Sequence, residues 1–282
     1  MLLKKMLIIL KNLFLGLLFL FYTSFLYANS SDFNLWLSEF KITAKKNGIS
    51  QKTIDSVLSN AIYLDRVIEY DNRQPEFFEK TNVYISKRAT KKAIKQAVIL
   101  LKENKSIFEK VEKDFNIDKE IILALWSTET NFGKNLGKMD IVSSLATLSF
   151  DKRRSKFFTG ELLTLLKLVD SKVLKRESLY GSWAGALGNF QFMPSSILNH
   201  AIDYDGNGYI DLKESKYDAI ASAANYIKKI GWKKNTPCFN EVTFNNKIDK
   251  KLFNYSAKKI INKKNLSSWE KIGVKFINKG QN

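Results

Sequence analysis

The stretch Asp203-Tyr204-Asp205-Gly206-Asn207-Gly208-Tyr209-Ile210-Asp211-Leu212-Lys213-Glu214 constrains this chain more than any other. Oxygen-bearing side chains recur at the spacing of an EF-hand loop, which wraps a hard divalent cation in oxygen ligands. The pattern assigns Asp203, Asp205, Asn207, Asp211 and Glu214 as side-chain ligands of one Ca2+, with Tyr209 contributing its backbone carbonyl. Gly208 makes the sharp turn and Ile210 packs the loop inward. The alternative is a solvated acidic loop held by Asx turns. No second such loop occurs in the sequence, so a paired calcium sensor is disfavoured and a structural clamp of weak affinity is expected.

Apolar residues recur at helical spacing through most of the chain. Phe33, Trp36, Leu37 and Phe40 form one stripe behind Ser31 or Asp32 as cap, and Gly48 ends it. Ile54, Val57 and Leu58 follow the cap Ser50. Pro75 interrupts the pattern and is expected to restart a helix. Residues 91–115 read as one long amphipathic helix. Asp118 caps a helix running to about Asn131, closed by Gly133. Residues 155–175 give another, a further helix ends near Ile197, and the last spans Asp218 to Ile230. Beyond Pro237 only Phe239, Val242 and Phe244 hint at short strands. With three prolines and thirteen glycines in 282 residues, the chain is expected to be mainly α. No internal repeat is visible.

The amino terminus reads as an address. Lys4, Lys5 and Lys11 flank the start of an apolar run from Leu13 to Leu26 that ends at Ala28, the layout of a secretory signal over residues 1–28. A retained membrane anchor is the alternative. Cys238 is the single cysteine, so no acceptor for a lipid anchor lies near Ala28 and no intrachain disulfide exists. It is expected to pack as a small apolar residue. The formal charge of +18 calls for a polyanionic partner, or reflects lysine-rich composition spread along the chain. An exported chain meets cell wall and membrane, not nucleic acid.

In Ile121-Ile122-Leu123-Ala124-Leu125-Trp126-Ser127-Thr128-Glu129, a helix places Glu129 in line with Trp126, Leu125, Ile122 and Ile121. A carboxyl group on an apolar face is desolvated, which raises its pKa. An acid kept neutral near pH 7 is what general-acid cleavage of a glycosidic bond requires. The bland alternative is a helix-edge glutamate turned to water. Farther along, Gly181-Ser182-Trp183-Ala184-Gly185-Ala186-Leu187-Gly188-Asn189-Phe190-Gln191-Phe192-Met193-Pro194 mixes small residues, aromatics and amides. Sugars are held by aromatic faces and by amide and hydroxyl hydrogen bonds. The alternative is a glycine-rich turn whose aromatics are core.

These motifs, in this order, resemble the membrane-bound lytic murein transglycosylase B family. Trp126 to Gly133, Leu145 to Arg154, Gly181 to Ser196, Glu69 to Phe77 and the acidic loop all carry the resemblance, which runs from about residue 33 to the end. It implies a lysozyme-like catalytic core with an additional N-terminal helical lobe. The lobe would span residues 29–116, the core 117–236 with its EF-hand-like loop 203–214, and a shortened C-terminal segment 237–282. It implies peptidoglycan glycan strands as substrate, cleaved between N-acetylmuramic acid and N-acetylglucosamine without water, the muramic 6-hydroxyl closing a 1,6-anhydro ring. Glu129 matches the family's catalytic acid, which then acts as base. Ser182, Gln191 and Phe190 fall in the groove motif, and Tyr226 matches a substrate-contacting tyrosine. Arg153 and Arg154 match an arginine pair implied to bind stem peptides. Ordinary retaining glycosidases need a second carboxylate. None accompanies Glu129 in its helix or in the glycine-rich motif, and Asp140 and Asp151 read as structural.

One departure stands out. The family continues with an asparagine- and tyrosine-bearing helix, and no similar stretch follows Pro237. A groove wall is therefore expected to be missing, and a non-catalytic peptidoglycan-binding protein is the alternative reading. A plain lysozyme-type hydrolase is the third, and a second carboxylate near Glu129 would favour it. The expected form is a periplasmic monomer without an organic cofactor, with wall-synthesis or membrane-associated proteins as further partners.

Overall fold

The computed structural model describes residues 31–73, 80–244, 248–254 and 261–277. Helix α1 covers residues 31–46 and ends at Gly48, whose φ of +84° reverses the chain. Then come α2 (Gln51–Leu58), α3 (Asp65–Asn72), α4 (Thr81–Arg88), α5 (Lys91–Glu103), α6 (Lys105–Phe115) and α7 (Lys119–Thr130). The two-residue strand β1 (Met139–Asp140) leads directly into α8 (Ile141–Phe150), followed by α9 (Ser155–Asp170). Strand β2 (Tyr180–Gly181) returns antiparallel to β1, with Met139 opposite Gly181. Helices α10 (Pro194–His200) and α11 (Lys216–Lys229) flank the acidic loop. A second ribbon pairs β3 (Val242–Phe244) with β4 (Val274–Phe276), preceded by α12 (Leu266–Lys271). Among the described residues no helix is long and apolar enough to cross a membrane.

Helix α8 is the axis of the molecule. Nine of its ten residues are buried, and it packs on α9, α3 and β1. Its hydroxyls serve the chain around it: Ser143 Oγ accepts from Ile62 N–H (3.1 Å) and Thr147 Oγ1 from Leu64 N–H (3.0 Å). These bonds give partners to backbone N–H groups of the segment that joins α2 to α3. Phe33, Trp36, Tyr63 and Phe150 meet edge-to-face or tilted beside it. One continuous cluster of buried side chains runs from Phe33 through Ile122 and Leu165 to Ile227.

Several sequence expectations change. The single helix over 91–115 is two, divided at Asn104. Its amide folds back onto Leu100 O (2.8 Å) and its carbonyl oxygen accepts from Lys216 Nζ (3.0 Å). Asp118 precedes α7 without capping it. Its carboxylate accepts instead from Trp232 Nε1 (2.9 Å) and Asn235 N–H (3.2 Å). The helix expected over 155–175 ends at Asp170, because Lys172 takes φ +62°. Cys238 is exposed and does not pack into the core. The restart at Pro75 and the signal over 1–28 lie outside the described residues. Asp140 caps α8 through Val142 N–H and Ser143 N–H, and Asp151 accepts from Arg153 N–H, as structural carboxylates do.

Candidate active site

Three left-handed residues in a row, Asn131 (φ +50°), Phe132 (+59°) and Gly133 (+81°), stop α7 abruptly one residue after Thr130. A Cβ at Gly133 would stand 2.6 Å from Asn189 Oδ1, so only glycine lets the glycine-rich turn approach so closely. Asn189, 5% exposed, holds that approach. Its Oδ1 accepts from Trp126 Nε1 (2.9 Å), and its backbone carbonyl accepts from Thr130 Oγ1 (2.7 Å). Its Nδ2 donates to Leu212 O (3.0 Å) and Lys213 O (2.8 Å), at the end of the acidic loop. Catalytic-candidate helix, glycine-rich turn and acidic loop are thereby joined through one side chain. Gly188 completes the joint, since its Cβ would lie 2.6 Å from that of Leu212.

This joint sets Glu129, between Trp126 and Thr130 in sequence, at a cavity of about 250 Å³. Leu125, one helical turn back, lines the same cavity, together with Phe190, Gln191, Phe192, Met193, Ser196, Ala223 and Tyr226. The outer side of Glu129 stays open to solvent. The atoms behind it displace enough water to push its carboxyl pKa up, with desolvation as the sole cause. Among the described residues it has neither a hydrogen bond nor an ion pair. Among the described residues no second carboxylate lines the cavity. An accessible, unpaired acid whose pKa is raised by desolvation is equipped to donate a proton and to take one back.

Of the other expected groove residues, Phe190, Gln191 and Tyr226 converge on Glu129. Phe190 lies against the Trp126 ring, with centroids 6.4 Å apart. Gln191 sits at φ +49°, its Nε2 donating to Leu136 O (3.2 Å) and Gly188 O (3.0 Å), which fixes the side chain at the cavity. Tyr226 packs edge-on against Phe192 and His200. Ser182 is elsewhere: it lies outside the cavity lining, and its hydroxyl accepts from Ala186 N–H (3.0 Å), closing the turn. Arg153 and Arg154 also lie apart from the cavity. Both guanidinium groups pair with Asp71, a buried carboxylate on α3, and Arg153 Nη2 donates to Asp71 O (2.7 Å). The sequence reading missed Asp71, Asn189 and Ser196, whose importance comes from contacts far apart in the chain.

The acidic loop differs from its twelve-residue reading. Asp203 accepts from the backbone N–H of Gly206, Asn207 and Gly208, and Asp205 accepts from Ser215 Oγ (2.8 Å). Carboxylate oxygens of Asp203, Asp205 and Asp218 lie within 4.8 Å of one another, while Asp211 and Glu214 stand outside that group. The reason is local. Ser215 caps α11, and the first turn of α11 carries Asp218, fully buried, back under the loop. There it accepts from Tyr204 N–H (2.8 Å) and Asp211 N–H (2.9 Å). Asp211 instead holds the turn, accepting from Lys213 and Glu214 N–H. Carboxylates converging in this way have the hard oxygen chemistry that a divalent cation takes, and Asp218 rather than Glu214 lies beside Asp203 and Asp205.

A family model described as the transglycosylase SLT domain matches residues 32–282. Over 199 residues the chain is 35% identical to membrane-bound lytic murein transglycosylase B of Escherichia coli (strain K12), covering 67% of this chain and 55% of that protein. The crystal structure of SltB3 from Pseudomonas aeruginosa in complex with NAG-NAM-pentapeptide superposes with a TM-score of 0.76 at 32% identity, over 86% of this chain and 63% of that one. The Escherichia coli lytic transglycosylase Slt35 in complex with calcium superposes with a TM-score of 0.71 at 28% identity, over 91% of this chain and 78% of that one. The chain thus spans little more than half of the curated relative's length.

Proposed function

We propose, from the premise that the chain belongs to the transglycosylase SLT domain family and has its mainly helical, lysozyme-like fold, that it cleaves peptidoglycan as a lytic transglycosylase with Glu129 as its acid. The observation that carries this reading is the carboxyl group in the cavity, raised in pKa and, among the described residues, solitary and without a partner. Protonated Glu129 gives its proton to the glycosidic oxygen, and N-acetylglucosamine departs. The 6-hydroxyl of the muramic residue bonds to its own anomeric carbon and returns its proton to the Glu129 carboxylate. No water is consumed and the acid is restored. A second carboxylate, needed by a retaining hydrolase, has no task in this sequence.

On the same reading Phe190 and Tyr226 bound the sugar and Gln191 hydrogen-bonds it, while Ser182 shapes the turn beside the groove. Arg153 and Arg154 would meet stem-peptide carboxylates in competition with Asp71. Residues 29–116 would form the helical lobe beside the core at 117–236. The acidic loop would hold one Ca2+ through Asp203, Asp205 and Asp218, as a clamp that takes no part in proton transfer. An exported, periplasmic chain acting on glycan strands accords with the basic charge.

The test is release of muropeptides from isolated sacculi, read by mass. Fragments lighter than hydrolytic products by one water support the anhydro product. Reducing ends would mean hydrolysis, and sacculus binding without release would mean a binding protein.

A further inference from the structure

Helices α4 and α5 bury none of their residues. Between residues 80 and 102 the chain carries Lys80, Lys87, Arg88, Lys91, Lys92, Lys95 and Lys102, and no acidic residue. Beside these cations stand exposed aliphatic side chains: Val83 (38%), Ile85 (54%), Ile94 (59%), Val98 (49%) and Ile99 (41%). Ile85, Ile94 and Val98 edge a groove of about 500 Å³, closed on its far side by Leu123 and Ala124 of α7. Among the described residues Glu120, 3.8 Å from Lys119, is the single carboxylate lining it. Soluble surfaces do not normally concentrate aliphatic groups this way without a use for them.

From this juxtaposition we infer that the surface formed by α4 and α5 is a docking surface for an anionic phospholipid bilayer, its lysines on the headgroups and its aliphatic side chains in the acyl boundary. A basic helical face with a separate aliphatic edge is the pattern of helices that lie in a membrane interface. Composition decides against a protein partner. Protein interfaces are depleted in lysine and enriched in aromatics and arginine, whereas this surface has six lysines, one arginine and one tyrosine. An acidic wall polymer would use the lysines but has no use for the groove. Lysines suit the bilayer because their long stems follow apolar surface while the ammonium stays in water. Docking here holds α7 and the Glu129 cavity at a fixed height over the membrane, and so limits cleavage to strands near it.

The chain from residue 29 onward contains every described element and is the form to test. It should co-sediment with vesicles of equimolar phosphatidylglycerol and phosphatidylcholine, and not with phosphatidylcholine alone. Substitutions I94D with V98D, and separately K92Q with K95Q and K102Q, should each weaken that binding at least about tenfold. All five positions are exposed, so both variants should melt like the parent and release soluble muropeptides from sacculi at its rate. Equal binding to both vesicle types, no vesicle binding, or variants that bind vesicles like the parent would overturn the inference. So would variants that keep vesicle binding and lose affinity for sacculi, which would assign the surface to the wall. Because activity on sacculi is read separately, failure of docking is distinguishable from failure of the catalytic assignment.

Discussion

Replacing Asn189 with leucine tests whether one buried amide organises the catalytic site. Leucine is close in size, so the core is neither emptied nor overfilled. Three hydrogen bonds vanish: the acceptor for Trp126 Nε1 and the donors to Leu212 O and Lys213 O. Leu212 O keeps the Asn189 backbone N–H at 2.9 Å, but the indole N–H is left without a partner in a buried position. At about 1 kcal/mol for each lost bond, the variant should be less stable by about 3 kcal/mol. For a chain of this length that is a fall in melting temperature of roughly 6–12 °C. Trp126 lies three residues before Glu129 on α7, so its release should misplace the carboxyl group and cut turnover by about a hundredfold under conditions where the variant stays folded, while Thr130 keeps its bond to the backbone carbonyl of residue 189. Aspartate at the same position keeps an acceptor for the indole but sets a carboxylate beside two carbonyl oxygens. Those neighbours raise its folded pKa above the unfolded value. Its stability should therefore be greatest at acid pH and decline as pH rises through that raised pKa. The assay is thermal unfolding followed by circular dichroism across pH, with sacculus digestion alongside. A leucine variant that melts within a degree of the parent and keeps its turnover would refute the idea that Asn189 joins the three segments.

Other outcomes follow from the same geometry. Glu129→Gln should lose turnover by at least about a hundredfold while still binding sacculi. Because burial raises the folded pKa of Glu129, its ionised form is the unfavourable one, and the stability it contributes is lost as pH rises through that value. The glutamine variant should therefore match or exceed the parent's melting temperature at neutral pH and lose that advantage in acid, as melting curves at both will show. Parent activity should decline on the alkaline side as Glu129 deprotonates. Calcium at about a hundredfold over its dissociation constant should add about 2.7 kcal/mol, reversed by chelator. Asp218→Asn should abolish this increment in melting temperature and Glu214→Gln should leave it, since only the former belongs to the carboxylate cluster. Asp71→Asn should lower stability by about 1–2 kcal/mol in thermal unfolding, less than for a fully buried ion pair because both arginines remain partly exposed.

What the sequence disclosed and what it hid divide along a physical line. Glu129 drew notice because a carboxyl group interrupts an apolar stripe of period 3.6, and stripes are visible wherever a helix has a wet side; its assignment as the acid came from the resemblance. Helix α8 has none. With nine of ten residues buried, Ser143, Ser144, Thr147 and Ser149 are as deep as Leu145, and no periodicity marks it. Ser144 and Ser149 turn their hydroxyls back on Asp140 O and Leu145 O, while Ser143 and Thr147 serve the backbone at Ile62 and Leu64, a distant segment that local spacing cannot reveal. The acidic loop shows the same limit at finer scale. The spacing assigned Glu214 to the loop's last position, whereas the carboxylate that lies beside Asp203 and Asp205 is Asp218, a placement that depends on where α11 begins. Ser215 settles that by capping the helix, and one turn later Asp218 is under the loop. Asn189 could not have been singled out among the amides of its motif, since its four partners come from two segments outside it. The residues proposed to contact substrate lie on short motifs and can be read in order. Those that hold these motifs together are fixed by the packing of helices around α8, and become visible only when the chain is folded.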